Sequence, residues 1–275
     1  TLVKDTSGRN GKVLAAFVEM GADASILYDH APHIGTDVLR DVVKNLRNRI
    51  IAGGGEVHFR TEVAKILEEN GKVTGVMTTD GSVIETDHVI LSVGHSARNL
   101  FAELDRMKVF MEPKPFAVGL RIQHPQAQIN QNQYGMEKVE KLGAAPYKVT
   151  AKTTGGRGVY SFCMCPGGEV VAAASEEGLL CVNGMSRHAR AGANANAALL
   201  VEVRPDDLPG DDPLEGVAFQ RQLERDAYLL GRGLAADDVE GADTSSESDS
   251  AFMPPYTAPA QTVGDFLAGA PSTPS

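Results

Sequence analysis

Two thiols separated by one residue, in Cys163-Met164-Cys165-Pro166-Gly167-Gly168, are the side chains of this chain best suited to electron relay or nucleophilic attack. That chemistry belongs to the thiolate, so it requires access and a lowered pKa. Redox pairs more often take the form C-x-x-C. In a regular strand Cys163 and Cys165 share a face but stand roughly 6–7 Å apart, which strains a direct disulfide. Three readings stay open for them: a redox pair, packing beside a ligand, or plain burial in a strand. Cys181 brings the count to three, which leaves at least one thiol free and builds no disulfide framework, so a reducing compartment is expected. The paired C-x-x-C or H-x3-H spacing of a zinc centre is absent, and no metal is expected.

His33 is the third candidate for catalysis. It lies in Pro32-His33-Ile34-Gly35-Thr36, at the entrance to a helix, where an imidazole can exchange protons near neutral pH or simply bond to nearby backbone. Arg98, Arg121 and Arg157 could each orient an anionic group through paired hydrogen bonds, or serve as structural or solvated cations. Arg121, with Tyr160 and Ser161 just before the thiols, is placed on the substrate side. Gly94-His95-Ser96 closes an apolar run, and a glycine there lets backbone approach a ligand with no Cβ in the way.

These residues need elements to hold them. Helices are expected over 11–20 and 37–51, the second with Leu39, Val42, Val43, Leu46 and Ile50 at offsets one, four, five, eight and twelve from Val38. Thr36 is read as its N-cap and Asp37 as an acid in its first turn, and Gly53-Gly54-Gly55 ends it. Strands are expected at 56–60, at 63–67, 73–78 and 83–84 as a three-stranded meander, and at 89–93 as a buried strand. From Pro115 the texture turns β-rich, with strands at 116–123, 147–151, 158–164, 169–174, 179–182 and 198–203. Asp212-Pro213 opens a helix running to Gly231, with proline in its first position.

Composition bounds the function. The formal charge of −10 is concentrated at the end: after Arg232, the last basic residue, come Asp237, Asp238, Glu240, Asp243, Glu247, Asp249 and Asp265, which leaves about −3 for the body. No basic face for nucleic acid or an anionic membrane is expected. No apolar run approaches a membrane span and residues 1–10 hold no signal core, so a cytoplasmic address is expected. The stretch 234–255 is read as disordered or loosely held.

The motifs Pro32-His33-Ile34-Gly35-Thr36, Ser92-Val93-Gly94-His95-Ser96-Ala97-Arg98, Met111-Glu112-Pro113-Lys114-Pro115-Phe116-Ala117 and Ala172-Ala173-Ala174-Ser175-Glu176-Glu177, with the strand through the thiols, resemble the bacterial uncharacterised FAD-dependent dehydrogenases. Asn183-Gly184-Met185-Ser186 and Val263-Gly264-Asp265-Phe266 extend the resemblance, which covers roughly residues 3–233 with an echo near 258–267. It implies an α/β fold of the glutathione-reductase-like flavoproteins: a partial Rossmann-type FAD-binding domain with its β-meander over 1–112, a β-rich substrate domain over 113–233, and an acidic segment with a partial return to the first domain over 234–275.

The same resemblance implies roles. Val63 takes the place where backbone meets adenine, and Gly94, His95 and Ser96 approach the phosphate and ribose side of FAD, with NAD(P)H as an electron donor. No G-x-G-x-x-G occurs in the 275 residues, nor the family's glycine-rich segment after Asp265. An internal fragment is therefore expected, binding FAD weakly or not at all and inactive by itself. The reading is an FAD-dependent oxidoreductase acting on an unknown small molecule. The alternative is a noncatalytic binding or interaction module on a degenerate flavoprotein scaffold.

Overall fold

The computed structural model describes residues 8–138, 141–233 and 257–272. In chain order the elements are α1 (Arg9–Glu19), α2 (Thr36–Ala52), β1 (Val63–Glu69), β2 (Lys72–Thr78), β3 (Val83–Glu85), α3 (Arg98–Arg106), β4 (Phe116–Pro125), α4 (Gln126–Tyr134), β5 (Thr150–Lys152), β6 (Gly158–Cys165), β7 (Gly168–Ala172), β8 (Val182–Ser186), β9 (Asn194–Val203), α5 (Glu215–Gly231) and α6 (Val263–Ala268). Helix and sheet are mixed throughout, as an α/β chain requires. Two compact units interleave along the sequence.

The first unit draws on Thr1–Ile90, Ala117–Val170 and Gly184–Glu202. Its helical part closes around Ile26 and Val42, which are 1% and 0% exposed, with Leu14, Phe17, Val18, Val38 and Leu46 packed against them. Each such aliphatic side chain contributes about 1.5–3 kcal/mol by leaving water. The stripe on α2 is narrower than its sequence suggests, because Val43 and Ile50 face outward. The helix begins at Thr36 itself, with Gly35 before it as N-cap. Thr36 therefore does not cap the helix; its Oγ1 donates to Ser186 O at 3.1 Å.

The meander β1-β2-β3 forms as its short apolar runs and turns lead one to expect, antiparallel throughout, with Val63 opposite Thr78 and Gly75 opposite Glu85. Asp80 fixes the second turn by accepting from Thr78 Oγ1 at 2.5 Å and from Ser82 N–H at 3.0 Å. The flanking strands expected at 56–60 and 89–93 do not form. An extended segment becomes a strand only by pairing its backbone with a neighbour, and among the described residues these two pair with none: both are irregular, with Phe59 67% and Ile90 90% exposed.

A four-stranded sheet in the order β4-β9-β6-β5 carries the chemistry-bearing residues of this unit. β6 runs antiparallel to both β5 and β9. Helix α4, which has no apolar periodicity to announce it, helps bury Ile129, Ala145 and Ala195. Gln126 ties this corner together: its Nε2 donates to Asn130 Oδ1 and Ala145 O, and its Oε1 accepts from Gly167 N–H.

The second unit draws on Leu91–Phe116, Val171–Asn183 and Val203–Ser275. Leu179 and Leu180 are buried but lie outside any strand, so the strand expected at 179–182 begins only at Val182. Helix α5 starts at Glu215 rather than at Pro213, because Asp212 Oδ1 accepts from Leu214 N–H at 2.8 Å and holds 212–214 in a turn. Phe116 and Phe219 meet edge to face at 6.1 Å. The stretch 234–255 lies outside the described residues. Among the described residues no helix is long and apolar enough to cross a membrane.

Candidate functional site

In the first unit the loop before α2 is clasped reciprocally to the segment after β8. His33 Nε2 donates to Arg187 O at 3.1 Å, and His188 Nδ1 donates to Ile34 O at 2.9 Å. The rings stack at 6.4 Å between centroids, and His188 N–H donates to Asp37 Oδ1 at 2.8 Å. Gly35 makes the approach feasible: its φ is 89°, and a Cβ there would lie 2.2 Å from His188 N. His33 thus sits at the helix entrance as expected, in a backbone-bonded role. Burial, aided by Arg190 and His188, holds its imidazole below its ordinary value against the pull of Arg187 O and Asp37.

The thiols are not on one face. The register of β6 on β9 shifts between Phe162 and Cys165, and Cys163 takes a φ of 48° within that bulge. The same-face geometry of a regular strand is lost, leaving Cys163 exposed and Cys165 buried. Cys165 Sγ donates to Cys163 O at 3.3 Å. Burial pushes the Cys165 thiol up, as does Cys163 beside it, while Arg121 and Ser186 pull weakly the other way. A buried, protonated thiol is a poor nucleophile.

Arg121 extends from β4 and donates through Nη1 to Asn196 Oδ1 at 2.6 Å and to Cys163 O at 3.4 Å. The bond to Cys163 O joins it to the strand that carries the thiols. Tyr160 is half-buried in the ladder, opposite Thr150 and Leu200. Ser161 is 6% exposed, and its Oγ accepts from Val149 N–H at 2.9 Å, so its hydroxyl is engaged within the fold. Val63 opens β1 half-buried. Arg157 Nη1 donates to Glu202 O at 2.7 Å and braces the sheet.

Asn196, Arg190 and His188 were not singled out by sequence. Asn196 is fully buried opposite Cys165 in the ladder. The signal pointing to it is weak: one of two asparagines at the start of a strand that is otherwise alanine, leucine and valine apart from Glu202.

In the second unit the turn Gly94-His95-Ser96 is exposed. Gly94 has a φ of 67° and open space where a Cβ would stand. Ser96 O accepts from Arg98 N–H at 2.9 Å, and the Oγ atoms of Ser96 and Ser175 hydrogen-bond at 2.9 Å. The Arg98 side chain is spent inward. It is 4% exposed, reaches Glu176 at 2.7 Å, and grips Glu224 with both terminal nitrogens at 2.8 and 3.1 Å. Arg221 adds a bond to Glu176 at 3.0 Å. Burial opposes ionisation of Glu176, but Arg221 and Arg98 outweigh it and hold its carboxyl below the ordinary value. Arg98 therefore anchors the turn and does not present a free cation to a ligand. A shallow cleft of about 290 Å3 lined by Leu14, Ile26, Leu27, Tyr28, Asp29 and His30 includes none of these residues.

Comparison with known proteins agrees with the resemblance at the level of family. Residues 7–134 match the flavin containing amine oxidoreductases. A protein of Clostridium beijerinckii (strain ATCC 51743 / NCIMB 8052), known only as an uncharacterized protein, is 45% identical over 275 residues, a match covering 99% of this chain and 47% of that protein. The chain thus spans about half the length of this relative. Residues 115–275, more than half of the chain, match the family described as FAD-dependent protein, C-terminal domain-like, and the chain belongs to that family.

Proposed function

We propose that the chain is part of an FAD-dependent oxidoreductase of glutathione-reductase-like, Rossmann-type organisation. The observation that carries this reading is the turn at Gly94: an exposed glycine with a positive φ, open on the side where any other residue would place a Cβ. Such a turn fits the close approach of a ribose or phosphate group to backbone. It is tied to Ser175 through Ser96 and to the buried Arg98 ion pairs through the chain itself. Gly94, His95 and Ser96 would meet the dinucleotide, and Val63 would offer its backbone to the adenine. When bound, the flavin supplies the hydride or electron transfer.

The chain's own residues would position the reacting molecule. Arg121 is held by Asn196, ready to orient a polar group. His33, held largely neutral and bonded to Arg187 O, fixes the entrance to α2. Cys165 packs as a protonated thiol. These residues fit a flavin protein in part, since no G-x-G-x-x-G is present to cradle a pyrophosphate.

The test is a titration of the chain with FAD, followed by flavin fluorescence. Saturable binding, weaker than about 1 μM and competed by ADP, is the expected result. Stoichiometric submicromolar binding would contradict the weak binding expected without a pyrophosphate cradle, and saturable binding that ADP does not compete would hand the chain to the alternative reading, a noncatalytic binding module on the same scaffold.

A further inference from the structure

We propose that the outer flank of α2 and the extended segment 56–60 form one docking surface in the first unit, whose occupant is a β-strand layer from the part of a longer chain that the Clostridium beijerinckii relative carries outside the match. The apolar arc on α2 is wider than its contact with the core. Val42 is 0% exposed, with Val38 and Leu46 packed beside it. At about 100° per residue, Leu39, Ile50 and Val43 stand roughly 60–100° round the helix from Val42. That flank continues the core stripe, yet these three side chains are 38%, 54% and 55% exposed. A helix with one neighbour buries one stripe, and an arc this wide calls for a second layer beside it.

The chain after α2 extends the flank. Gly55 N–H donates to Ile50 O at 3.0 Å, which holds the backbone against the end of the helix. The Arg47 guanidinium lies over the Phe59 ring, 5.3 Å from its centroid, and so brings Phe59 beside α2. Val57 and Phe59 alternate with Glu56, His58 and Arg60, the pattern of a strand with one apolar face. The two apolar side chains are 37% and 67% exposed. Among the described residues their backbone pairs with no strand. Unpaired extended backbone beside exposed apolar side chains is what an added strand satisfies, through ladder hydrogen bonds and side-chain burial together.

Two observations select the occupant. The match covers 47% of the relative, so more than half of that protein lies outside it and can supply another layer. The edge of the flank beyond Val43 is basic, with Arg40, Lys44 and Arg47 at roughly 140–200° from Val42 and Asp37 and Asp41 further round. In a symmetric pair of copies a patch meets itself, so these cations would face their own counterparts, and like charges opposed across an interface work against it. The occupant is therefore a strand layer with apolar side chains toward α2 and carboxylates along its rim. This surface is separate from the turn at Gly94 and would stand if that turn met no dinucleotide.

The test grafts this chain into the relative in place of the matched region and compares the graft with the isolated chain. Val43→Cys reports on the flank, and Asn48→Cys, exposed on another face of α2, is the control. Iodoacetamide labelling is read peptide by peptide, so the native cysteines are followed separately. Both sites should label at similar rates in the isolated chain, while in the graft Val43→Cys should slow by about tenfold or more and Asn48→Cys should keep its rate. A second measurement needs no graft: hydrogen exchange in the intact relative, in the segment aligned with 56–60, should be slower than in the isolated chain by about tenfold or more. Equal labelling of Val43→Cys in a folded graft and in the isolated chain, or equally fast exchange in both proteins, would overturn the surface. Protection of Val43→Cys in the isolated chain that fades on dilution would overturn the occupant and give the face to a second copy.

Discussion

Replacing Arg98 by methionine removes the cation on which two carboxylates depend. The side chains of Arg98, Glu224 and Glu176 are 4%, 19% and 31% exposed, so the network is shielded from water and only weakly screened. Breaking a buried pair from one side costs about 3–5 kcal/mol, mostly for the charge left behind. Glu176 keeps Arg221 at 3.0 Å, so the loss falls chiefly on Glu224 and the lower figure, about 3 kcal/mol, applies. At roughly 2–4 °C per kcal/mol for a domain of this size, the melting transition of the second unit should fall by about 6–12 °C. Differential scanning calorimetry at neutral pH measures it. The double variant Arg98→Met with Glu224→Leu should recover most of the loss, since a buried ion pair replaced by apolar groups of similar volume is often neutral. The acid limb gives the sign independently. The Glu176 carboxyl is held below its ordinary 4.5, so its contribution is complete above that value and is lost as pH falls through the folded value. An Arg98→Met chain melting within about 1 °C of the parent would refute the reasoning.

The bulge at Cys163 makes the three thiols unequal. Iodoacetamide followed by mass spectrometry should label exposed Cys163 and Cys181 at least about tenfold faster than Cys165, and equal rates would restore the accessible redox pair. His33 provides a pH signature. Its folded value lies below its ordinary 6.5, so the stability contributed by the neutral ring is complete above 6.5 and is lost as pH falls through the folded value. His33→Gln should flatten the dependence of melting temperature on pH below 6.5, and an unchanged slope would remove His33 from the clasp as described.

The meander and α2 were legible because their patterns are local: short apolar, β-branched runs bounded by the Gly71 and Asp80-Gly81 turns, and a helical apolar stripe ending in glycine. Helix α4 was not, since Gln126 to Tyr134 is almost wholly polar and is held by bonds from Gln126 and Asn130 to distant backbone. The apolar runs at 56–60 and 89–93 speak for strands, but a strand also needs a neighbour, which no periodicity supplies. The bulge that separates Cys163 from Cys165 is invisible for a related reason, because it is a property of two strands in register. Whether Arg98 orients an anion or serves as a structural or solvated cation stayed open, because nothing near it in sequence reveals Glu176 and Glu224. Asn196 became visible only once the ladder brought it opposite Cys165. The family, by contrast, was carried by several motifs in order, whose recognition does not depend on knowing contacts.

The most direct test of the flavin reading is FAD binding by Gly94→Asn beside the parent chain. Asparagine tolerates the left-handed backbone that Gly94 adopts at φ 67°, so the turn should survive, while its side chain fills the open space against which the dinucleotide is proposed to lie. The expected result is unfolding free energy within about 1 kcal/mol of the parent, with FAD affinity reduced roughly tenfold. A folded Gly94→Asn chain that binds FAD as the parent does would contradict the assignment of this turn to the cofactor.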